Sequence, residues 1–405
     1  MSRVSEAVLW PAKPGHDAKD HMSTIANHPP VPLPSAIRSR FIDGINGLRV
    51  HVLEAGFERK GRPCVLLLHG FPELAFSWRK VMPRLAEAGY HVIAPDQRGY
   101  GRTTGWDANY DGDLASFRLT NLVRDALGVV SAFGHRSATV VGHDFGSPVA
   151  AWCALIRPDV FRSAVLMSAP FAGPPPLPFD IVDAPLPQRR EDPMHRELAA
   201  LPRPRKHYQW YYSTREANDD MWHAPQGVHD FLRAYYHHKS ADWKGNAPYP
   251  LQSWSAGELA KLPTYYVMDL AKSMPETVAE EMPSKAEIAA ARWLSDDELA
   301  FYSAEYRRTG FQGGLQWYRC GTSDAFTAEL ETWSGRSIDV PCCFISGRQD
   351  WGTYQRPGAF ETMQRSACSR MLGCHLVDGA GHWVQQEQPD EVTRLLLQFL
   401  KAAAA

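Results

Sequence analysis

Long apolar runs are missing from this chain, and none reaches the roughly 18 residues that a membrane span needs. The N-terminal stretch MSRVSEAVLWPAKPGHDAKDH has no apolar central segment, so no secretory signal is expected. An excess of either charge is missing too. Lys and Arg number 43 against 45 Asp and Glu, a net charge of −2. That excludes bulk nucleic acid or an anionic membrane as a partner held by charge alone. Cysteine is sparse: seven are scattered along 405 residues and only Cys342 and Cys343 are adjacent. An odd count without framework spacing predicts reduced thiols and a cytoplasmic setting. No cysteine or histidine spacing matches a zinc site, so no metal is expected. Repeats are absent. What remains, 44% hydrophobic and 22% charged, is the composition of a soluble globular protein, long enough for a core plus an insert.

Residues 1–36 read as a polar extension containing NHPPVPLP, expected to lie over the surface or be partly disordered. Residues 37–171 alternate β-rich runs with helical patterns. Leu48–Val52 alternates like a half-exposed strand, and Cys64–Leu68 is a continuous apolar run suited to a buried parallel strand. His91–Ala94, Ala138–Val141 and Ser163–Met167 read as further strands. Between them, Leu122–Phe133 reads as an amphipathic helix and Pro148–Ile156 as a helix buried on nearly every side. Strand and helix in alternation predict a doubly wound α/β sheet. The pattern breaks at Pro170. Ten prolines fall between Pro170 and Pro204, which argues against regular helix or sheet there. From there to about residue 325 the chain reads as helical and aromatic, with 11 of its 15 tyrosines in 172–325. The α/β signal returns at Val340–Ser346 and Met371–Val377, and an amphipathic C-terminal helix follows. The expected organisation is an extension (1–36), a core (37–171), a helical cap (172–325) and the rest of the core (326–405).

The strongest motif is Gly142-His143-Asp144-Phe145-Gly146, directly after one strand and directly before a buried helix. This is the context of a nucleophile elbow, with aspartate where serine is common. A lone GxDxG would favour a helix-capping aspartate. Its partners change the odds. Asp350 follows one strand in Gly347-Arg348-Gln349-Asp350, and His382 follows the next in Gly379-Ala380-Gly381-His382-Trp383. Nucleophile, acid and histidine in that order match an α/β hydrolase. His69-Gly70-Phe71-Pro72 ends the strand Cys64–Leu68 and would place the Phe71 N–H in an oxyanion hole beside that of Phe145. His69 and His143 themselves read as structural hydrogen-bonding residues.

From about residue 37 onward the chain resembles epoxide hydrolases of the α/β-hydrolase superfamily, of the soluble type. HGFPE (69–73), GHDFGS (142–147), GRQD (347–350) and GAGHW (379–383) carry the resemblance. It implies a mostly parallel sheet with a helical cap inserted after the sixth core strand. It also implies two cap tyrosines over the nucleophile. The segment Gly310–Arg319 resembles the family's GF-x-G-x-L-x-WYR run and maps one to Tyr318. His207-Tyr208-Gln209-Trp210-Tyr211 resembles the YQ-x-Y segment and maps the other to Tyr208, with Tyr211 and Tyr212 as substitutes.

The residue types suit substitution at saturated carbon. A serine attacking an epoxide would give an ether; a carboxylate gives an ester that water can cleave. Tyrosine, with an ordinary pKa of about 10, keeps its proton at neutral pH and can protonate the leaving alkoxide. The expected reaction is an apolar epoxide plus water giving a vicinal diol, without cofactor. Aromatic residues of the cap, with Trp210, Trp317 and Trp383 as candidates, would line the pocket for a bulky or aryl-bearing substrate. Two other readings stay open: a haloalkane or haloacid dehalogenase using the same triad, and a ligand-binding protein on a hydrolase scaffold. Phe145 has no indole N–H to hold a halide, which weighs against the first. Competent residues at every catalytic position weigh against the second.

Overall fold

The computed structural model describes residues 28–177 and 193–404. Most of the expected N-terminal extension and part of the proline-rich stretch lie outside the described residues. Among the described residues there are ten strands: β1 (Ile37–Ile45), β2 (Leu48–Ala55), β3 (Cys64–Leu68), β4 (His91–Pro95), β5 (Ala138–His143), β6 (Phe161–Met167), β7 (Arg205–His207), β8 (Val267–Asp269), β9 (Cys342–Gly347) and β10 (Met371–Val377). Eight of them form one sheet in the order β1-β2-β4-β3-β5-β6-β9-β10. From β4 to β10 every neighbouring pair is parallel. Only β1–β2 and β2–β4 are antiparallel.

The central strands are buried on both faces because helices cover both. All residues of β3 are buried, as a continuous apolar run requires. The helix Gly146–Ile156 is buried almost all round. The C-terminal helix Pro389–Ala403 starts on a proline with Asp390 and Glu391 in its first turn, which suits the positive end of its dipole. Its Val392, Leu395, Leu396, Phe399 and Leu400 join the main core with Val141, Val165 and Ile345.

The edge strand β1 was not expected as a separate element. Arg38, Arg40 and Asp43 are charged among its exposed positions, which blunts an exposed edge and also hides the strand from an apolar pattern. The insert lies between β6 and β9, as the resemblance implied. It is mainly helical, but β7 and β8 pair antiparallel within it. Three residues each is too short for periodicity to reveal. Among its described residues the proline-rich stretch also holds a regular piece, the helix Met194–Ala199. Pro193 stands at its N-cap, where a missing N–H costs nothing. Several cap helices start with reciprocal Ser–Glu pairs, Ser273 with Glu276, Ser284 with Glu287 and Ser295 with Glu298.

Two buried carboxylates anchor the sheet. Glu54 accepts from Arg38 Nε at 2.9 Å and pairs with His91 at 2.8 Å. Asp96 pairs with His51 at 2.7 Å and accepts from the Ala75 and Arg102 N–H groups at 2.9 and 3.0 Å. Burial alone would raise both carboxyls, yet these partners win and hold each at about 2. Ordinary values are about 4.3 for Glu and 3.9 for Asp. A depressed native value gives stability that is present above the ordinary value and lost as pH falls toward the native one. The melting temperature is therefore expected to fall steeply between about pH 4.5 and 2. The Glu54→Gln variant should show a shallower slope in the same window. Equal slopes in calorimetry would contradict the assignment.

Candidate active site

The site is built at the carboxyl ends of β3, β5, β9 and β10. At the end of β5 the chain turns at once into the helix Gly146–Ile156. The turn puts Asp144 at φ +52°, a left-handed conformation that non-glycine residues rarely adopt. Strand and helix close on each other here: a Cβ on Gly142 would lie 1.9 Å from the Gly146 carbonyl oxygen. The Asp144 N–H still donates to Met167 O on β6, at 3.1 Å, and the Asp144 carbonyl accepts from Ser147 N–H at 3.0 Å. The side chain is thereby pushed off the sheet's end.

His382 Nε2 lies 3.1 Å from Asp144 Oδ2, and His382 Nδ1 lies 3.0 Å from Asp350 Oδ1. Asp350 is fixed in turn. Its Oδ1 accepts from Gly352 N–H at 2.7 Å and its Oδ2 from Ser346 Oγ at 3.1 Å. An ionised carboxylate accepts only, so the Nδ1–H of His382 donates to Asp350, and its hydrogen bond to Asp144, also a carboxylate, is made through a proton on Nε2. The Phe71 N–H donates to Asp144 Oδ1 at 2.9 Å, leaving Oδ2 as the oxygen toward His382. Phe145 is the N-cap of the helix, in the region where N–H groups have no partner within the helix. The side chains of His382 and Asp350 are each 1% exposed and that of Asp144 13%, so the nucleophile position is the member open to a ligand.

Burial opposes the charge on Asp144. The hydrogen bond and charge of His382 outweigh it, with help from Lys239 and His143, and hold the carboxyl far below its ordinary range. Asp350 is lowered in the same way, burial being outweighed by His382 and by the Gly352 N–H. Both are therefore anions at neutral pH.

The cap lowers tyrosines onto this arrangement. Tyr208 starts the helix Tyr208–Tyr212 and Tyr318 lies in the helix Gln312–Gly321. Their ring centroids are 5.9 Å apart. The Tyr318 ring meets Phe71 at 5.5 Å and Phe145 at 5.1 Å, edge to face. Burial, and next the charge of Asp144, push both phenols well above 10. The Tyr208 hydroxyl donates to Gln355 Oε1 at 3.2 Å, and the substitutes have other partners. The Tyr211 hydroxyl donates to Asp220 Oδ2 at 2.8 Å, and that of Tyr212 to Tyr235 at 3.2 Å.

The tryptophans stand behind the working residues. Trp317 is 1% exposed, donates Nε1–H to Arg98 O at 2.9 Å and sets its ring 5.1 Å from Phe145. Trp383 is fully buried, donates to Tyr236 O at 2.8 Å and packs 4.7 Å from the His382 ring. Trp210 has ring contacts with His195 and His207 in the cap. His69 and His143 bond within the frame. His143 Nε2 donates to His382 O at 2.7 Å, and its Nδ1 lies 2.6 Å from Glu73 Oε2. His69 Nδ1 lies 2.9 Å from Gly70 O, and its Nε2 accepts from Gln97 N–H at 3.1 Å.

Sequence reasoning missed Glu73 as the partner of His143, although HGFPE contains it. It also missed Lys239, whose ammonium lies 4.9 to 5.7 Å from the ring centroids of Tyr235, Tyr265, Tyr266 and Trp383. Such a cage of rings is compatible with a buried cation. Among the described residues no group of three or more His, Cys, Asp and Glu is placed to hold a metal ion. Among the described residues, no helix is long and apolar enough to cross a membrane. A groove of about 720 Å³ lined by Arg59, Arg62, Arg136 and Arg162 lies beside Cys64, His91 and Ala138, where β3, β4 and β5 begin, and shares no residue with the triad.

Sheet order and the strand–turn–helix elbow are those of an α/β hydrolase, with Asp144, Asp350 and His382 brought together at the carboxyl ends of its strands. The family described as alpha/beta hydrolase fold matches residues 63–389. Epoxide hydrolase A of Mycobacterium tuberculosis is 33% identical over 368 residues, which is 89% of this chain and 96% of that protein. Epoxide hydrolase B of the same organism is 32% identical over 358 residues, 87% and 96% respectively. A solved epoxide hydrolase from an endophytic Streptomyces superposes with a TM-score of 0.71 at 31% identity, covering 91% of this chain and 96% of that one. Potato epoxide hydrolase I gives 0.68 at 27% identity, covering 90% and 99%. The chain belongs to the epoxide hydrolase family of α/β hydrolases.

Proposed function

We propose that this protein converts an apolar epoxide and water into a vicinal diol through an ester on Asp144. The observation that carries the reading is one juxtaposition. A carboxylate hydrogen-bonded to both His382 and the Phe71 N–H is the foremost charge acting on the phenols of Tyr208 and Tyr318, whose rings are 5.9 Å apart.

In the first half-reaction Oδ2 of Asp144 attacks a ring carbon and the ring C–O bond breaks. The alkoxide takes a proton from Tyr208 or Tyr318, while the other phenol donates a hydrogen bond. A phenol held well above its usual pKa keeps its proton until the alkoxide, a far stronger base, develops. In the second half-reaction His382, oriented by Asp350, removes a proton from water. The hydroxide adds to the Asp144 ester carbonyl, and the Phe71 and Phe145 N–H groups hold the oxyanion on Oδ1. The acyl–oxygen bond breaks and the diol leaves with the former Oδ2. Water's oxygen stays in the carboxylate: the proton taken up by His382 passes to the leaving oxygen of the diol, and the proton left on the new carboxyl is lost to solvent, from which the tyrosinate regains its own. The aromatic walls, with Trp317 behind Phe145 and Trp383 behind His382, suit an aryl-bearing substrate.

The test is the intact mass of a His382→Gln variant after incubation with styrene oxide, or with a 1-haloalkane. A gain equal to the whole epoxide is expected, because the ester forms and persists. A gain of an alkyl group without its halogen would replace the reading with a dehalogenase. Neither adduct, together with saturable binding and no turnover by the wild type, would make the chain a binding protein.

A further inference from the structure

The two half-reactions leave Glu387, an acidic group beside the His382 loop, unused. Glu387 ends the short helix Val384–Glu387, directly after the loop that carries His382. Its Oε2 accepts from the N–H groups of Gly381 at 3.0 Å and Ala241 at 2.8 Å. Its Oε1 accepts from the Trp383 N–H at 2.9 Å. Both neighbours of His382 are therefore bound to one carboxylate, which also holds the cap segment after the helix Gly227–Lys239. The His382 N–H completes the join by donating to Lys239 O at 2.9 Å. The two backbones touch here: a Cβ on Gly381 would lie 2.5 Å from the Ser240 carbonyl carbon.

We propose that Glu387 is a positioning residue for the second half-reaction, its carboxylate clamping the His382 loop to the cap so that Nε2 stays aimed at the Asp144 ester. The proposal rests on the two-step reading above. The chemistry demands an acceptor at both oxygens, since three N–H groups converge on them. An amide offers one acceptor, and its NH₂ would face an N–H across the other contact. Glu387→Gln therefore keeps the shape and removes the clamp. Burial pushes the Glu387 carboxyl up to about 8 against the pull of its three N–H bonds, so the comparison belongs at a more alkaline pH, where the wild type carries the anion.

The experiment is rapid quench of the wild type and Glu387→Gln with styrene oxide at pH 9, measuring ester formation and ester breakdown separately by intact mass. Wild type that forms no ester would defeat the two-step reading itself, and the clamp with it. If wild type forms it, Glu387→Gln is expected to form it within about threefold of the wild-type rate. Its breakdown should be slowed about ten- to a hundredfold, the cost of a small misplacement of the base. Breakdown at the wild-type rate, or equal slowing of both steps, would overturn the proposal. Should Glu387→Gln not fold, Glu387→Asp decides: the shorter carboxylate should slow breakdown selectively, and equal effects on both steps count against the clamp.

Discussion

Asp144→Ala is expected to lower diol formation by about ten-thousandfold or more, the scale seen when a covalent nucleophile is removed. Without its carboxylate no ester can form, and the remaining groups have no second route to the ring carbon. His382 would still stand 3.0 Å from Asp350, and the Phe71 N–H would lose only its acceptor. The fold should survive, because the elbow's own hydrogen bonds are made by the Asp144 backbone. Initial rates on an aryl epoxide, beside a melting curve, make the measurement. Activity within tenfold of wild type in a folded variant would remove Asp144 from the mechanism.

The second large effect concerns the phenols. Tyr208→Phe combined with Tyr318→Phe should slow ring opening by about a hundred- to ten-thousandfold, the range of a lost general acid. The rings would stay packed against Phe71, Phe145 and each other. Only the Tyr208 hydroxyl bonds to Gln355 and Gln209 disappear in stability terms, at about 1 kcal/mol each. Ester breakdown, which needs no phenol, should keep its wild-type rate. Tyr211→Phe is the comparison, since that hydroxyl is given to Asp220. A Tyr211→Phe variant as slow as Tyr208→Phe would move the second acid along the helix.

How much of this was legible in the sequence depended on distance along the chain. Strands buried on both faces betrayed themselves by composition, and the bounds of buried β3 and of the half-buried edge strand β10 were readable to the residue. The elbow was readable because turn, strand and helix are consecutive in Gly142–Gly146. Asp350 and His382 needed only strand ends and chain order. The choice of Tyr208 over its neighbours needed more than pattern, because three tyrosines on one short helix differ only in what the rest of the cap puts opposite them. Glu387 was hidden for the same reason. Its partners are backbone N–H groups, which every residue carries, so no residue type marks them. The edge strand β1 and the β7–β8 pair escaped because one is charged and the other is very short.

β6 and β9 lie side by side in the sheet although the whole cap separates them along the chain, from Met167 to Cys342. The entropy of closing such a loop grows only with the logarithm of its length, so doubling the connection would cost about 0.6 kcal/mol. The sheet is thus nearly indifferent to how much chain is paid out between these two strands. Lineages of this architecture can lengthen, shorten or exchange the lobe above the triad, and so change which molecules fit, while the strands that aim Asp144, Asp350 and His382 stay in register.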